Sequence, residues 1–188
     1  MLFSVICTGC LKTEPEKVSL PERPSNLKVF LGIRSLKADY KLPSGIGAYF
    51  PIVFFFHAGE LVEKSKGPAM ISVQADNQIP TIIQLELMWQ VSEGTFQKAS
   101  LVDGLNELDL TKRFEFWDKF KGYSMRQVRP EEELLFDGAK ILGIVAHSDN
   151  KTLSLYGNDI ANMGTYVVAV GIVTGKSRHD IEDQFMKK

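Results

Sequence analysis

The chain has 188 residues, of which 44% are hydrophobic and 24% charged, and its formal net charge is −1 at pH 7. This length and composition are typical of one folded domain with a substantial core. A net charge near zero without a basic block gives no electrostatic basis for nucleic-acid binding, so we expect no nucleic-acid partner.

The first ten residues read MLFSVICTGC and end in small residues followed by Cys10. This pattern resembles the lipobox of bacterial lipoproteins, in which the cysteine is acylated. We therefore interpret residues 1–10 as a truncated lipoprotein signal segment with lipidation at Cys10. Residues 11–26 carry three prolines among lysine, glutamate and serine, which is the composition of a flexible tether. Leu11 is not the aspartate that retains such lipoproteins in the inner membrane, so the resemblance implies the periplasmic face of the outer membrane.

Residues 27–188 are predicted to form a single domain. Residues 27–36 predict a first strand with Leu27, Val29, Leu31 and Ile33 on one side. Residues 49–57 (YFPIVFFFH) predict a strand that is covered on both faces, because three consecutive phenylalanines point to both of them. Pro51 in this strand indicates an edge or a bulge, and residues 64–68 are expected to form a polar turn.

The stretch at residues 80–91 (PTIIQLELMWQV) is the clearest strand in the chain, because apolar and polar side chains alternate along it. Ile83, Leu85, Leu87 and Trp89 share one face, which we expect to be buried. Slipping the register by one residue would bury glutamine and glutamate side chains, so the register is well specified.

The second half of the chain is predicted to contain further short strands and two helical insertions. Phe96, Ala99 and Val102 have helical spacing, and residues 111–121 predict a second short amphipathic helix. The predicted strands are residues 123–128, 133–136, 140–147 and 165–174, with a polar connection at 148–164. Residues 176–188 are a charged tail that is compatible with a helix and is expected to be of low consequence. The fold class predicted is an all-β, antiparallel two-sheet sandwich with short helical insertions.

No motif of catalysis, phosphate binding or dinucleotide binding occurs in the sequence. The only cysteines are Cys7 and Cys10, and the three histidines are far apart without metal-ligand spacing. Residues 131–133 are adjacent glutamates, but they fall in a predicted turn, where a charge run is usually solvated. We therefore predict no catalytic residue, no metal site and no cofactor.

Several segments, in order, resemble the type VI secretion system outer-membrane lipoprotein family (the TssJ type), as a divergent member. These segments are Cys10, the strand at 80–91, a short helix at 96–101, a strand at 125–128, the Arg-Pro-Glu-Glu turn at 129–132 and the run at 141–146. Residues 27–67 have no counterpart and form an N-terminal extension.

The resemblance implies a non-enzymatic protein, lipid-anchored to the outer membrane. Its partner would be the periplasmic domain of an inner-membrane secretion component (TssM-like). The loop that contacts the partner in the family corresponds here to Asp76, Asn77, Gln78 and Ile79. Because this loop is short, we expect the segment at 45–49 to share the contact through Tyr49.

Two other functions remain open from the sequence. A periplasmic ligand-binding or carbohydrate-binding lipoprotein is favoured if Tyr49, Trp89 or Trp117 lines a groove. A lipid-anchored hydrolase is favoured if paired acidic side chains converge in a pocket.

Overall fold

A computed structural model describes residues 31–43, 45–68, 70–71, 82–93, 95–104, 106–113, 118–120, 122–149 and 153–186. The strands are β1 Ile33–Lys41, β2 Ala48–His57, β3 Glu60–Lys66, β4 Met70–Ile71, β5 Ile82–Ser92, β6 Thr95–Asp103, β7 Asn106–Asp109, β8 Ser124–Gln127, β9 Leu135–Phe136, β10 Ala139–His147 and β11 Tyr166–Gly175. One α-helix, α1, spans Arg178–Met186, and turns of 3-10 helix occupy Thr111–Arg113, 118–120 and Ile160–Asn162.

The first sheet has the order β1-β5-β6-β7, and all neighbours are antiparallel. Along β5, Ile83, Leu85, Leu87 and Trp89 are buried, whereas Gln84 is exposed. Successive strand residues point to opposite faces, so this sheet has one face in the core and one toward solvent. The strand predicted at 80–91 is confirmed over its described part.

The second sheet has the order β3-β2-β11-β10-β8, with β4 also paired to β2 and β9 to β10. Because β11 pairs with the whole of β2, β3 and β4 share the other edge of β2. The two sheets make the fold an all-β sandwich, as predicted.

Strand β2 is buried on both faces, which confirms the prediction from its consecutive phenylalanines. Phe55 lies in the core between the sheets, whereas Phe54 and Phe56 belong to a second core on the outer face of the second sheet. Pro51 lies inside this central strand, not at an edge of the sheet. The N–H of Gly67 donates to the Pro51 carbonyl (2.8 Å), but proline has no N–H to return the bond, and the pairing with β3 ends beside it.

The outer face of the second sheet is covered by segments that the sequence suggests are peripheral. Leu155, Ile160 and Met163, from the connection between β10 and β11, are buried there, and so is Ile181 of α1. The C-terminal tail is therefore part of the packing, and the expectation that it is of low consequence is wrong. Burial of these apolar side chains stabilises a third layer of the molecule.

Gly143 lets the two sheets approach closely where β1 crosses β10. A Cβ atom at Gly143 would lie 2.6 Å from Cδ2 of Leu36, which is inside normal contact distance. The register between β10 and β11 shifts between Ile141 and Gly143, and at this β-bulge the consecutive residues Leu142 and Gly143 both face the core between the sheets.

Three local predictions need correction. The segment at 96–102 is not a helix, because it forms β6, which pairs with β5 over most of its length. The first strand begins at Ile33 and buries Leu36 and Ala38, whereas Leu31 is 43% exposed; Leu27 and Val29 lie outside the described residues. The expected turn at 64–68 begins only after Lys66, because residues 60–66 form the edge strand β3.

Candidate functional site

One end of the sandwich holds the described flanks of the predicted contact loop and the start of β2. It consists of the 42–47 turn, the described residues Ile71 and Ile82 that flank 72–81, and the 103–106 turn, and we call it the loop end. Ile71 pairs with Ala48, and Ile82 pairs with Lys41, so both attachment points of 72–81 lie here. The sheet order therefore brings the described flanks of 72–81 and the start of β2 to the same end.

Of the predicted site residues, the structure describes only Tyr49. Cys10, Asp76, Asn77, Gln78 and Ile79 lie outside the described residues.

Tyr49 is described, and it is only 4% exposed because its ring packs in the core between the sheets. It is therefore an interior residue of the loop end, and the expectation that its side chain offers a surface contact needs correction. As the second residue of β2, Tyr49 has its side chain on the inner face, like Val53 and Phe55.

Tyr49 forms a buried polar pair with Asp103 of the other sheet. Its hydroxyl donates to Oδ1 of Asp103 at 3.5 Å, and Asp103 is 7% exposed. The second carboxylate oxygen, Oδ2, has no hydrogen-bond partner among the residues that the structure describes. Burial is the main cause that raises the pKa of Asp103, and the Tyr49 hydrogen bond opposes it. Burial, and then the Asp103 charge, raise the pKa of Tyr49.

The opposite end of the sandwich carries a row of rings across three adjacent strands, which we call the histidine row: His57, Tyr166 and His147. Tyr166 of β11 pairs with His57 of β2 on one side and with His147 of β10 on the other. The His57 and Tyr166 rings are stacked, with centroids 4.6 Å apart, and the His147 ring is tilted at 6.1 Å from Tyr166. Tyr166 thus separates the two histidines, which do not converge on a common point.

His147 is held by acceptors at both ring nitrogens. Nδ1 contacts the carbonyl oxygen of Gly122, and Nε2 lies 3.3 Å from Oδ1 of Asp149. Lys119 places its ammonium 5.9 Å from the centre of the Tyr166 ring.

A polar pocket of about 410 Å³ lies just beyond the histidine row. The residues that follow or precede the row along the strands, Ala58, Ser148 and Thr165, form part of its wall. The remaining lining residues come from the tip of the β2–β3 hairpin and from the connection between β10 and β11: Gly59, Ser154, Asn162, Met163 and Gly164.

Two other residues that the sequence analysis considered, Glu132 and Trp89, are engaged in contacts within the fold. Glu132 forms an ion pair with Arg126, whose other guanidinium nitrogen donates to the Leu155 carbonyl at 2.6 Å. Trp89 is 1% exposed, so its indole ring is not an open aromatic surface, and Trp117 lies outside the described residues.

Within the described part of the chain, no three histidine, cysteine, aspartate or glutamate side chains are grouped so that they could hold a metal ion. No helix there is long and apolar enough to cross a membrane. No protein-family model, curated protein or solved structure matches the chain.

The sequence did not single out Asp103 or the histidine row. Asp103 ends a segment whose apolar residues have helical spacing, so it resembles an ordinary surface charge. His57 and His147 are 90 positions apart (147 − 57) and meet Tyr166 only through the order of strands in the second sheet.

Proposed function

We propose that this protein is a non-enzymatic, lipid-anchored component of a bacterial trans-envelope secretion complex of the type VI kind. In this role it binds the periplasmic domain of an inner-membrane secretion component, TssM-like in character, and links it to the outer membrane. The observation that carries the proposal is the convergence of the 42–47 turn, both flanks of 72–81 and the 103–106 turn at the loop end.

The architecture of the protein is suited to an adaptor that links two other components. A sandwich with cores on both faces of its second sheet is a rigid body, and turns at one end of a rigid body are well suited to recognition. The order of the segments that resemble the TssJ type supports the choice of machine and of partner. Lipid chains on Cys10 would supply the anchor, and the proline-bearing tether at 11–26 would supply reach.

A titration of the full chain with the partner's periplasmic domain tests the proposal. We expect Gln78→Arg and Ile79→Asp to weaken binding, because interface energy is concentrated in a few residues. Pro43→Arg places a bulky charge at an exposed position of the loop end and should also weaken binding. Ser92→Arg is the matched control, because Ser92 is exposed at the opposite end of the sandwich.

Loss of affinity of at least about tenfold, equivalent to about 1.4 kcal/mol, in one or more loop-end variants supports the proposal. Circular dichroism should show that each variant is folded. Unchanged binding by all three loop-end variants would place the interface elsewhere, and a wild-type chain that does not bind would remove the family assignment itself.

The anchor is tested separately by metabolic labelling with a fatty-acid analogue. We expect label on the wild-type chain and none on Cys10→Ser, with the variant lost from the membrane fraction. Two or more acyl chains give stable anchoring, whereas one chain is marginal. Equal labelling of the two proteins would contradict lipidation at Cys10.

A further inference from the structure

The polar pocket beside the histidine row has walls that are fixed by hydrogen bonds. The N–H of Ala58 at the β2–β3 hairpin tip donates to the Thr165 carbonyl at 2.8 Å. The Asn162 side chain donates to Oδ2 of Asp159 at 2.8 Å, which orients its amide. Gly59 allows the hairpin tip to approach Asn162, since a Cβ there would lie 2.6 Å from Oδ1. The pocket is therefore formed before any ligand arrives.

The polar groups on this wall are neutral and can both donate and accept. Thr165 Oγ1 accepts from the N–H of Asp149 at 3.2 Å, so its own proton remains to be donated. The exposed Ser154 hydroxyl can donate and accept, and Asn162 offers Oδ1 as an acceptor. Buried Met163 adds an apolar surface to the lining.

These features select the chemical class of a ligand. None of the described lining residues is charged, so this part of the wall offers no counter-charge to a cation or an anion. An apolar ligand would leave hydroxyl and amide groups without hydrogen bonds, which is costly. A molecule with several hydroxyl groups and an apolar ring face would satisfy both kinds of surface.

We propose that the pocket formed by Gly59, Ser154, Asn162, Met163 and Thr165 binds a neutral, polyhydroxylated ligand of about mono- or disaccharide size. Its volume, about 410 Å³, falls in the range of small-molecule sites. The site lies at the opposite end of the sandwich from the loop end, so it does not depend on the proposed protein partner.

Titration of the isotope-labelled full chain with glucose, N-acetylglucosamine and maltose, followed by backbone amide NMR, tests this site. At least one sugar should cause saturable shifts at Gly59, Gly164 and Thr165. Ser154→Ala should weaken binding roughly two- to tenfold, which corresponds to one neutral hydrogen bond. Ser154→Phe, which fills the pocket from an exposed position, should abolish it.

Matched substitutions outside the pocket lining test whether a loss of sugar binding is specific to the pocket. Ser92→Ala and Ser92→Phe change the same residue type at an exposed position of the other sheet that is not among the described lining residues, and both should bind like the wild type. Asn162→Ala should weaken binding, whereas Asn158→Ala, on the same connection but outside the pocket, should not. The proposal is overturned if no sugar gives saturable shifts, if the shifts map to another surface, or if Ser154→Phe binds like the wild type.

Discussion

Tyr49 and Asp103 come from opposite sheets and meet inside the loop end, where the Tyr49 hydroxyl donates to the Asp103 carboxylate at 3.5 Å. The pair lies beneath the turns that we propose to bind a partner. A carboxylate with one oxygen unpartnered among the described residues is poorly solvated, which gives the loop end a measurable dependence on pH.

The first prediction concerns the charge of Asp103. Because burial raises its pKa in the folded protein, the folded state favours the neutral acid, and stability is gained as the pH falls through that raised pKa. Asp103→Asn removes the charge and keeps the shape, so it should raise the free energy of unfolding at pH 7. The difference from wild type should shrink toward pH 4, as measured by denaturant unfolding.

Asp109 serves as the control, because its pKa is shifted in the opposite direction to that of Asp103. The Thr111 hydroxyl and N–H, which hydrogen-bond to its carboxylate, lower its pKa, so the folded state favours its charged form. Asp109→Asn should therefore lower stability at pH 7, with an effect that fades at acidic pH. A destabilising Asp103→Asn with the same pH profile as Asp109→Asn would show that Asp103 is well satisfied in the folded protein.

The second prediction concerns the contact of Gly143 with Leu36. Gly143→Ala should lower the free energy of unfolding by about 1–3 kcal/mol, because the new methyl group overpacks the core. Adding Leu36→Val, which removes the clashing Cδ atoms, should recover part of the loss. Gly122→Ala is the control, since nothing lies within 4 Å of its Cβ position, and it should change stability by no more than about 0.5 kcal/mol. Equal effects at both glycines would contradict the close approach of the sheets.

The third prediction concerns the two cores on either side of β2. Phe54→Ala and Phe55→Ala should each cost about 3–5 kcal/mol, although the two side chains point to opposite faces of the sheet. Val62→Ala, at a residue that is 57% exposed, should cost no more than about 0.5 kcal/mol. A small effect at Phe54 would mean that the third layer contributes little, and the sandwich would then have a single core.

The strong alternation of apolar and polar residues was enough to predict β5 from the sequence. In β5 every inward residue is apolar and the outward ones are mostly polar, so the pattern fixed both the strand and its buried face. In β6 the inward residues are Ala99, Leu101 and Asp103, and the buried aspartate breaks the alternation. Pairing with β5 overrides the helical spacing of Phe96, Ala99 and Val102, which is a long-range effect that no local pattern contains.

The candidate sites depend even more on long-range pairing. Tyr49 begins the most apolar run of the chain, and an aromatic residue next to a glycine-bearing turn fits either an exposed anchor or a core position. Tyr49 is a core residue because β2 lies between β11 and the edge strands β3 and β4, and this placement is not evident from the local sequence. The polar pocket likewise joins the β2–β3 hairpin tip to residues about a hundred positions later, through the pairing of β2 with β11.

The most direct test of the central claim is hydrogen–deuterium exchange of the full chain with and without the partner's periplasmic domain. Partner binding at the loop end predicts slower exchange at the 42–47 and 103–106 turns and in the segment at 72–81. Exchange at Ala58, Ser148 and Thr165, at the opposite end of the sandwich, should be unchanged. Protection confined to that opposite end, with none at the loop end, would contradict the proposed mode of binding.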